Sequence, residues 1–151
     1  MSDRNSSKFN SPTFIYSVLY GKRPDPPLVP RDSSVNHKQY TIDGVAVDKN
    51  VPKEAMLKLW DIKEIETRSS CEGSSSIRPT FLVIRTKNRN KVYIQKFCDK
   101  LNKYKDIKCG FDIGNSGEYR IGITTPLWYE KDKIKFIRWW MSLAEKIKLS
   151  L

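Results

Sequence analysis

Eight consecutive residues near the middle of the chain, Glu66 to Gly73, gather hydroxyl, thiol, carboxylate and guanidinium groups beside a glycine. Cys71 could act as a nucleophile if the cation of Arg68 stabilised its thiolate, and Glu72 could accept or donate a proton. Binding is the more economical function, because no histidine lies near Cys71 in sequence to form a Cys–His pair. The hydroxyls, a guanidinium and the backbone N–H groups beside Gly73 together suit a phosphate, a carboxylate or a base edge.

The residues predicted to contact a ligand are polar or cationic, or are a glycine that allows close backbone approach. They are Arg68, Ser69, Ser70, Gly73, Arg78 and Arg85, with Cys71 and Glu72 as the catalytic candidates. A second group of basic and aromatic residues could neutralise phosphates and stack on bases. Its members are Lys22, Arg23, Arg31, Trp128 and Arg138. A structural role stays open for every one of these residues: a polar connector, a packing strap or a docked helix.

The chain carries a large positive charge, with 28 lysines and arginines against 17 aspartates and glutamates, a net charge of +11. A positive field of this size concentrates polyanions near the surface, so RNA or a nucleotide is the predicted partner. The basic residues alternate with acidic ones instead of forming one polybasic block, which argues against binding to a membrane surface. In the alternative explanation, the charge only keeps the chain soluble.

The 151 residues, 38% of them apolar and 30% charged, indicate one soluble domain. No apolar run approaches the ~20 residues of a membrane helix, and no apolar segment follows the N-terminus as a secretory signal requires. We therefore expect a cytoplasmic protein. With three cysteines in no C-x-x-C spacing, and His37 as the single histidine, the sequence predicts neither a disulfide framework nor a metal site.

Hydrophobic periodicity predicts a single α+β domain, with a mixed or mostly antiparallel sheet and about three packed helices. Residues 1–12 are predicted to form a disordered tail, and residues 13–151 the domain. Residues 13–48 should contain a strand at 13–20, a proline-rich strap and a hairpin.

Around the polar stretch, helical spacing predicts a helix over 52–65 that ends there, and the apolar run 80–85 predicts a central strand. A second helix is predicted over 91–104, with Cys98 as a core thiol. A second hairpin should follow over 107–124, and residues 128–151 should hold the C-terminal helix.

The order of a helix, then Thr67-Arg68-Ser69-Ser70-Cys71-Glu72-Gly73, then a strand resembles the family of the tRNA wybutosine-synthesising protein three, which is methyltransferase-like and has Ser-Ser-Cys-Ser-Gly in the corresponding loop. The stretch is also similar to small uncharacterised proteins with Ser-Cys-Glu-Gly. The resemblance extends loosely over residues 50–125. It implies an α/β domain, a site around Ser69, Ser70, Cys71 and Gly73, and a ligand related to modified guanosine or S-adenosylmethionine.

Taken together, these features predict a basic RNA- or nucleotide-binding protein, with a divergent tRNA-modification enzyme as one form of it. Whether the chain is an enzyme stays open, since no common nucleotide-binding or hydrolase motif occurs in it. One alternative is a non-catalytic module that sequesters a small nucleotide signal, of the kind that mobile elements encode. The other is a structural or protein-interaction domain.

Overall fold

The computed structural model describes residues 14–15, 17–18, 38–42, 44–71, 73, 79–114, 116–125 and 132–151. The predicted tail and proline-rich strap lie outside the described residues. Within them the chain forms six strands and three helices of eight residues or more. In order these are β1 (Gln39–Ile42), β2 (Val45–Asp48), α1 (Lys53–Trp60), β3 (Ile65–Cys71), β4 (Phe81–Thr86), α2 (Lys91–Leu101), β5 (Lys108–Ile113), β6 (Tyr119–Thr124) and α3 (Lys133–Ser150).

The larger sheet has four strands in the order β3-β4-β6-β5, and every neighbouring pair is antiparallel. Helix α2 connects β4 to β5, and β6 then returns between these two strands. A smaller sheet pairs β1 with β2. The predicted α+β fold is therefore confirmed, with antiparallel pairing in both sheets.

Both predicted hairpins are present, and the turn of each contains a glycine of positive φ. Gly44 has φ 82° between β1 and β2, and Gly117 has φ 80° between β5 and β6. Residues with a Cβ rarely adopt this conformation, so glycine determines where each hairpin turns. Strand β6 alternates between the two faces of the sheet, because Tyr119, Ile121 and Ile123 all pack against the main core.

The three helices cover one face of the four-stranded sheet. Its inner residues Leu82, Ile84 and Ile121 join the apolar faces of the helices in one buried cluster. Two adjacent tryptophans dock α3: Trp139 Nε1 donates to the Asp106 carbonyl at 2.7 Å, and Trp140 Nε1 donates to the Thr80 hydroxyl at 3.0 Å. Since both indoles are buried and hydrogen-bonded, they position the helix.

The prediction of a helix over 52–65 followed by a polar loop is wrong in its boundaries. Helix α1 ends at Trp60, and residues 65–71 form strand β3. The reason is the pairing with β4. The backbone N–H and C=O groups along one edge of β4 need hydrogen-bond partners, and β3 supplies them from Ile65 to Cys71. The polar stretch is thus an edge strand with one irregularity, between Thr67 and Ser69.

The strand predicted at 13–20 is wrong at the positions that the structure describes, where Phe14, Ile15, Ser17 and Val18 are helical. The Ser17 hydroxyl donates to the Phe14 carbonyl at 2.7 Å, a bond between residues three apart that helical backbone allows. Phe14 and Ile15 are fully buried in a second, smaller apolar cluster with Val83. Burial of apolar residues is common to strand and helix, so a short apolar run does not distinguish them.

Cys98 is a buried core thiol, as predicted, and Cys109 is buried in the same cluster. Burial raises the pKa of the Cys109 thiol well above 9.0, and a hydrogen bond with the Cys98 side chain raises it further. The Asn102 side chain holds the backbone beside it, accepting from Cys109 N and donating to Cys109 O at 2.8 Å each. Because the charged thiolate is disfavoured in this core, ionisation of Cys109 opposes folding.

We expect the free energy of unfolding to fall as the pH rises above 9.0, because Cys109 ionises in the unfolded chain before it can do so in the folded one. For this group the slope approaches about 1.4 kcal/mol per pH unit. Urea unfolding under reducing conditions, from neutral pH to about pH 10, measures it. Cys109→Ala should be less stable at neutral pH but lose less on alkalinisation. Equal slopes for the two proteins would contradict this account.

Candidate nucleic-acid interface

The pairing register of the strands decides which residues share the sheet face directed away from the three helices, here called the outer face. Residues paired directly across strands form three rows on it. The first row is Cys71, Phe81, Thr124 and Lys108. The second is Ser69, Val83, Gly122 and Gly110. The third contains the pairs Glu66 with Arg85 and Arg120 with Asp112.

Three of the predicted site residues, Ser69, Cys71 and Arg85, therefore lie on this one face. Arg68 lies at the irregularity of β3 and is exposed, while Ser70 is paired with Leu82 and belongs to the face that the helices cover. The register thus brings three of the seven described site residues together on the outer face and separates Ser70 from them.

Other predicted residues are not part of this cluster. Gly73 is buried with φ 74°, and its N–H donates to Cys71 Sγ at 3.4 Å. Arg138 is exposed on α3, in the helical layer on the opposite side of the sheet. The remaining candidates lie outside the described residues: Glu72, Arg78, Lys22, Arg23, Arg31 and Trp128, together with His37.

Arg85 is the centre of a chain of alternating charges. Its guanidinium contacts Glu66 at 3.3 Å and also pairs with Glu118, which in turn contacts Arg89 at 3.2 Å. Arg68 lies 3.9 Å from Glu66 at the other end. The Arg85 side chain is only 18% exposed, and its Nε is buried without a hydrogen-bond partner among the described residues. A phosphate at Arg85 would have to compete with two carboxylates, whereas Arg68 and Arg89 have exposed guanidinium groups.

Arg120 forms a second charged unit beside this chain. Its Nε and Nη2 donate to the two carboxylate oxygens of Asp112 at 2.6 and 3.1 Å. This two-point contact fixes the plane of the guanidinium. The guanidinium lies over the Phe14 ring, with Arg120 Cζ 4.5 Å from the ring centroid.

Sequence reasoning missed Arg89, Asp112, Glu118 and Arg120. A partial signal was present for one pair, because Asp112 and Arg120 lie at nearly equal distances from the centre of the predicted β5–β6 turn, and the register pairs them directly. The contact of Glu118 with Arg85 had no such signal, since it depends on β6 lying next to β4.

A buried hydrogen-bond network fixes the end of β3. The Thr80 hydroxyl donates to the Cys71 carbonyl at 2.6 Å and accepts from Trp140 Nε1. The Thr124 hydroxyl donates to the Thr80 carbonyl at 2.6 Å. The network connects α3 through β4 to the strand that carries the predicted site, so the position of Cys71 depends on how α3 is docked.

The described residues include 21 lysines and arginines and 11 aspartates and glutamates, a net charge of +10. Within them, no group of three or more His, Cys, Asp or Glu side chains is arranged to hold a metal ion. None of their helices has both the length and the apolar character needed to cross a bilayer.

Comparison of the chain with protein-family models, with curated proteins and with solved structures found no match. The resemblance to the wybutosine-synthesising family therefore stays a prediction.

Proposed function

We propose that the chain binds RNA or a nucleotide at the outer face of the sheet. One observation carries the proposal: four of the five described arginines, Arg68, Arg85, Arg89 and Arg120, cluster at one end of this face. The predicted residues Ser69 and Cys71 occupy the same face. Their polar groups could contact a base edge or a ribose hydroxyl beside the arginines.

Arginine suits this function because its planar guanidinium donates two parallel hydrogen bonds to a phosphate and stacks on a base. Three carboxylates, Glu66, Glu118 and Asp112, hold the four guanidinium groups and leave one positive charge uncompensated. Side chains fixed in this way lose less conformational entropy when a ligand binds.

The helical layer adds a positive field of its own. Lys96 and Lys100 lie four residues apart on α2, and Lys103 follows two residues after the end of this helix. All three are exposed and have no ion pair with another described residue. These charges lie on the opposite side of the sheet from the outer face. They would accelerate the approach of a polyanion to the protein without contacting it.

The proposal is tested by titrating fluorescein-labelled single-stranded RNA into the protein over a range of salt concentrations. A polynucleotide complex should weaken steeply with salt, whereas a mononucleotide complex should respond much less, so the same titration with AMP and GMP separates these two ligands. Absence of binding to any of them at low salt would contradict the proposal and favour a structural or protein-interaction role.

We expect Arg68→Ala and Arg89→Ala each to reduce the slope of log Kd against log salt by about 1, because each removes one phosphate contact. Arg138→Ala is the matched control, since it removes an exposed arginine from the opposite side of the molecule. If Arg138→Ala reduced the slope as much as the other two variants, the binding surface would be the helical layer instead.

A divergent tRNA-modification enzyme is the second form of this proposal, with Cys71 as its candidate nucleophile. The contact of the Gly73 N–H with the Cys71 sulfur supports it, because such a donor stabilises negative charge on sulfur. A modified nucleoside formed from bulk tRNA and S-adenosylmethionine, and lost in Cys71→Ser, would support catalysis.

A further inference from the structure

The middle row of the outer face, which contains Gly122 and Gly110, allows another segment to pack closely against the sheet. Gly122 and Gly110 leave the centre of the sheet without side chains, and Phe14, Ile15 and Val18 lie directly on them. A Cβ at Gly122 would be 2.8 Å from Phe14 Cε2, and one at Gly110 would be 3.2 Å from Val18 Cγ2. The two glycines therefore form a flat floor at van der Waals distance from the segment above it.

Above this floor, the Phe14 ring covers the guanidinium of Arg120. Asp112 holds that guanidinium with two hydrogen bonds, so its plane is fixed before any ligand arrives. Arginine guanidinium groups and aromatic rings are the groups on which proteins stack unpaired RNA bases. In this structure the Phe14 ring of the protein itself occupies the position over the Arg120 guanidinium.

We propose that Arg120 and the glycine floor form a stacking site for one unpaired base of single-stranded RNA, and that Phe14 is a built-in competitor which the base displaces. The inference rests on the proposed function and names both its ligand class and its regulation. RNA would then bind more weakly than the site alone permits, because each binding event must first remove Phe14.

The exchange has a cost, because Phe14 is only 1% exposed and the burial of its ring must be given up when a base takes its place. Contacts that only the RNA makes must offset this cost. A phenyl ring on a guanidinium and a base on a guanidinium are interactions of the same kind and of similar strength. The apolar cluster that retains the segment is small, since its buried members are Phe14, Ile15 and Val83. The phosphates on either side of a stacked base would gain contacts with Arg68 and Arg89 that the phenyl ring does not make.

The test compares binding of a fluorescein-labelled oligoadenylate of about ten nucleotides by the full-length wild type and by Phe14→Ala. We expect Phe14→Ala to bind about 5-fold more tightly, because the competing ring is gone. Adding Arg120→Lys should abolish this gain, since lysine keeps the charge but offers no plane for stacking. An unchanged or higher Kd in a folded Phe14→Ala would overturn the inference.

A second measurement on the wild-type sequence does not depend on whether Phe14→Ala folds. The protein is labelled with 4-fluorophenylalanine, and the Phe14 resonance is identified by its loss in Phe14→Leu. Saturating oligoadenylate should shift this resonance towards that of a solvent-exposed ring, and a resonance that does not move would overturn the inference.

The outcomes separate the two proposals. Salt-dependent RNA binding by the wild type, with no change in Phe14→Ala and no shift of the Phe14 resonance, leaves the proposed function and rejects the stacking site. Absence of binding by wild type and variant rejects both. Binding by Phe14→Ala alone supports both, with the ring of Phe14 as the block.

Discussion

Replacing Thr80 with valine should lower the free energy of unfolding by about 2–6 kcal/mol, although the two side chains have almost the same volume. Thr80 is buried, and its hydroxyl both donates to the Cys71 carbonyl and accepts from Trp140 Nε1. Valine would remove the hydroxyl from both hydrogen bonds, one with the buried Trp140 Nε1 and one with the Cys71 carbonyl. Each lost hydrogen bond of this kind costs about 1–3 kcal/mol, and the two together account for the total.

Thr80→Ser is the matched control, because serine keeps both hydrogen bonds and loses one methyl group. We expect it to cost about 1 kcal/mol, the usual value for one buried methyl group. Thermal unfolding followed by circular dichroism should place the midpoint of Thr80→Val about 10 °C below that of the wild type. Equal midpoints for the valine and serine variants would show that the hydroxyl contributes nothing.

The Thr80→Val substitution should also affect the candidate interface. The Cys71 carbonyl lies at the end of β3, and the Thr80 hydroxyl connects it to α3 through Trp140. Without this connection, amide hydrogens at the end of β3 should exchange faster than those of β6. The docking of α3 is therefore part of how the sheet presents its predicted residues.

The elements that sequence reasoning located correctly are those with strong local signals. The β5–β6 hairpin combines strict alternation with glycines at its turn, and its two strands begin and end within one residue of the expected positions. Helix α2 was predicted for the same reason, because Ile94, Phe97 and Leu101 follow helical spacing and are all buried.

Strand β3 was not predictable in this way. Residues 66–71 are polar and include no apolar alternation, so local propensity favours a loop. They are extended because β4 requires a hydrogen-bonded neighbour on that side, which is a demand of the whole sheet. The arginine cluster escaped prediction for a related reason. Arg85 and Glu118 are distant in sequence, and only the insertion of β6 between β4 and β5 brings them together.

The arginine cluster gives the second prediction with a large effect, a substitution that should raise the affinity for RNA and lower the stability of the fold. Glu118→Gln should raise the affinity for RNA about 3- to 10-fold at low salt, because it releases Arg85 and Arg89 from a competing carboxylate. It should also lower the free energy of unfolding by about 1–2 kcal/mol. The estimate is below that of a fully buried ion pair because Arg85 and Glu118 are 18% and 31% exposed.

Glu145→Gln is the control for net charge, since it makes the same change on α3, across the sheet from Arg85 and Arg89, and Glu145 has no ion pair with another described residue. Salt titrations of labelled RNA and urea unfolding measure the two effects on each variant. An equal gain in affinity for both variants would mean that RNA responds to the total charge of the chain and not to the outer face. A gain confined to Glu118→Gln, together with the loss of stability, follows only if Arg85 and Arg89 are held by Glu118 in the free protein and transferred to phosphate in the complex. The Glu118 carboxylate would then hold Arg85 and Arg89 in position in the free protein and thereby lower the affinity for RNA.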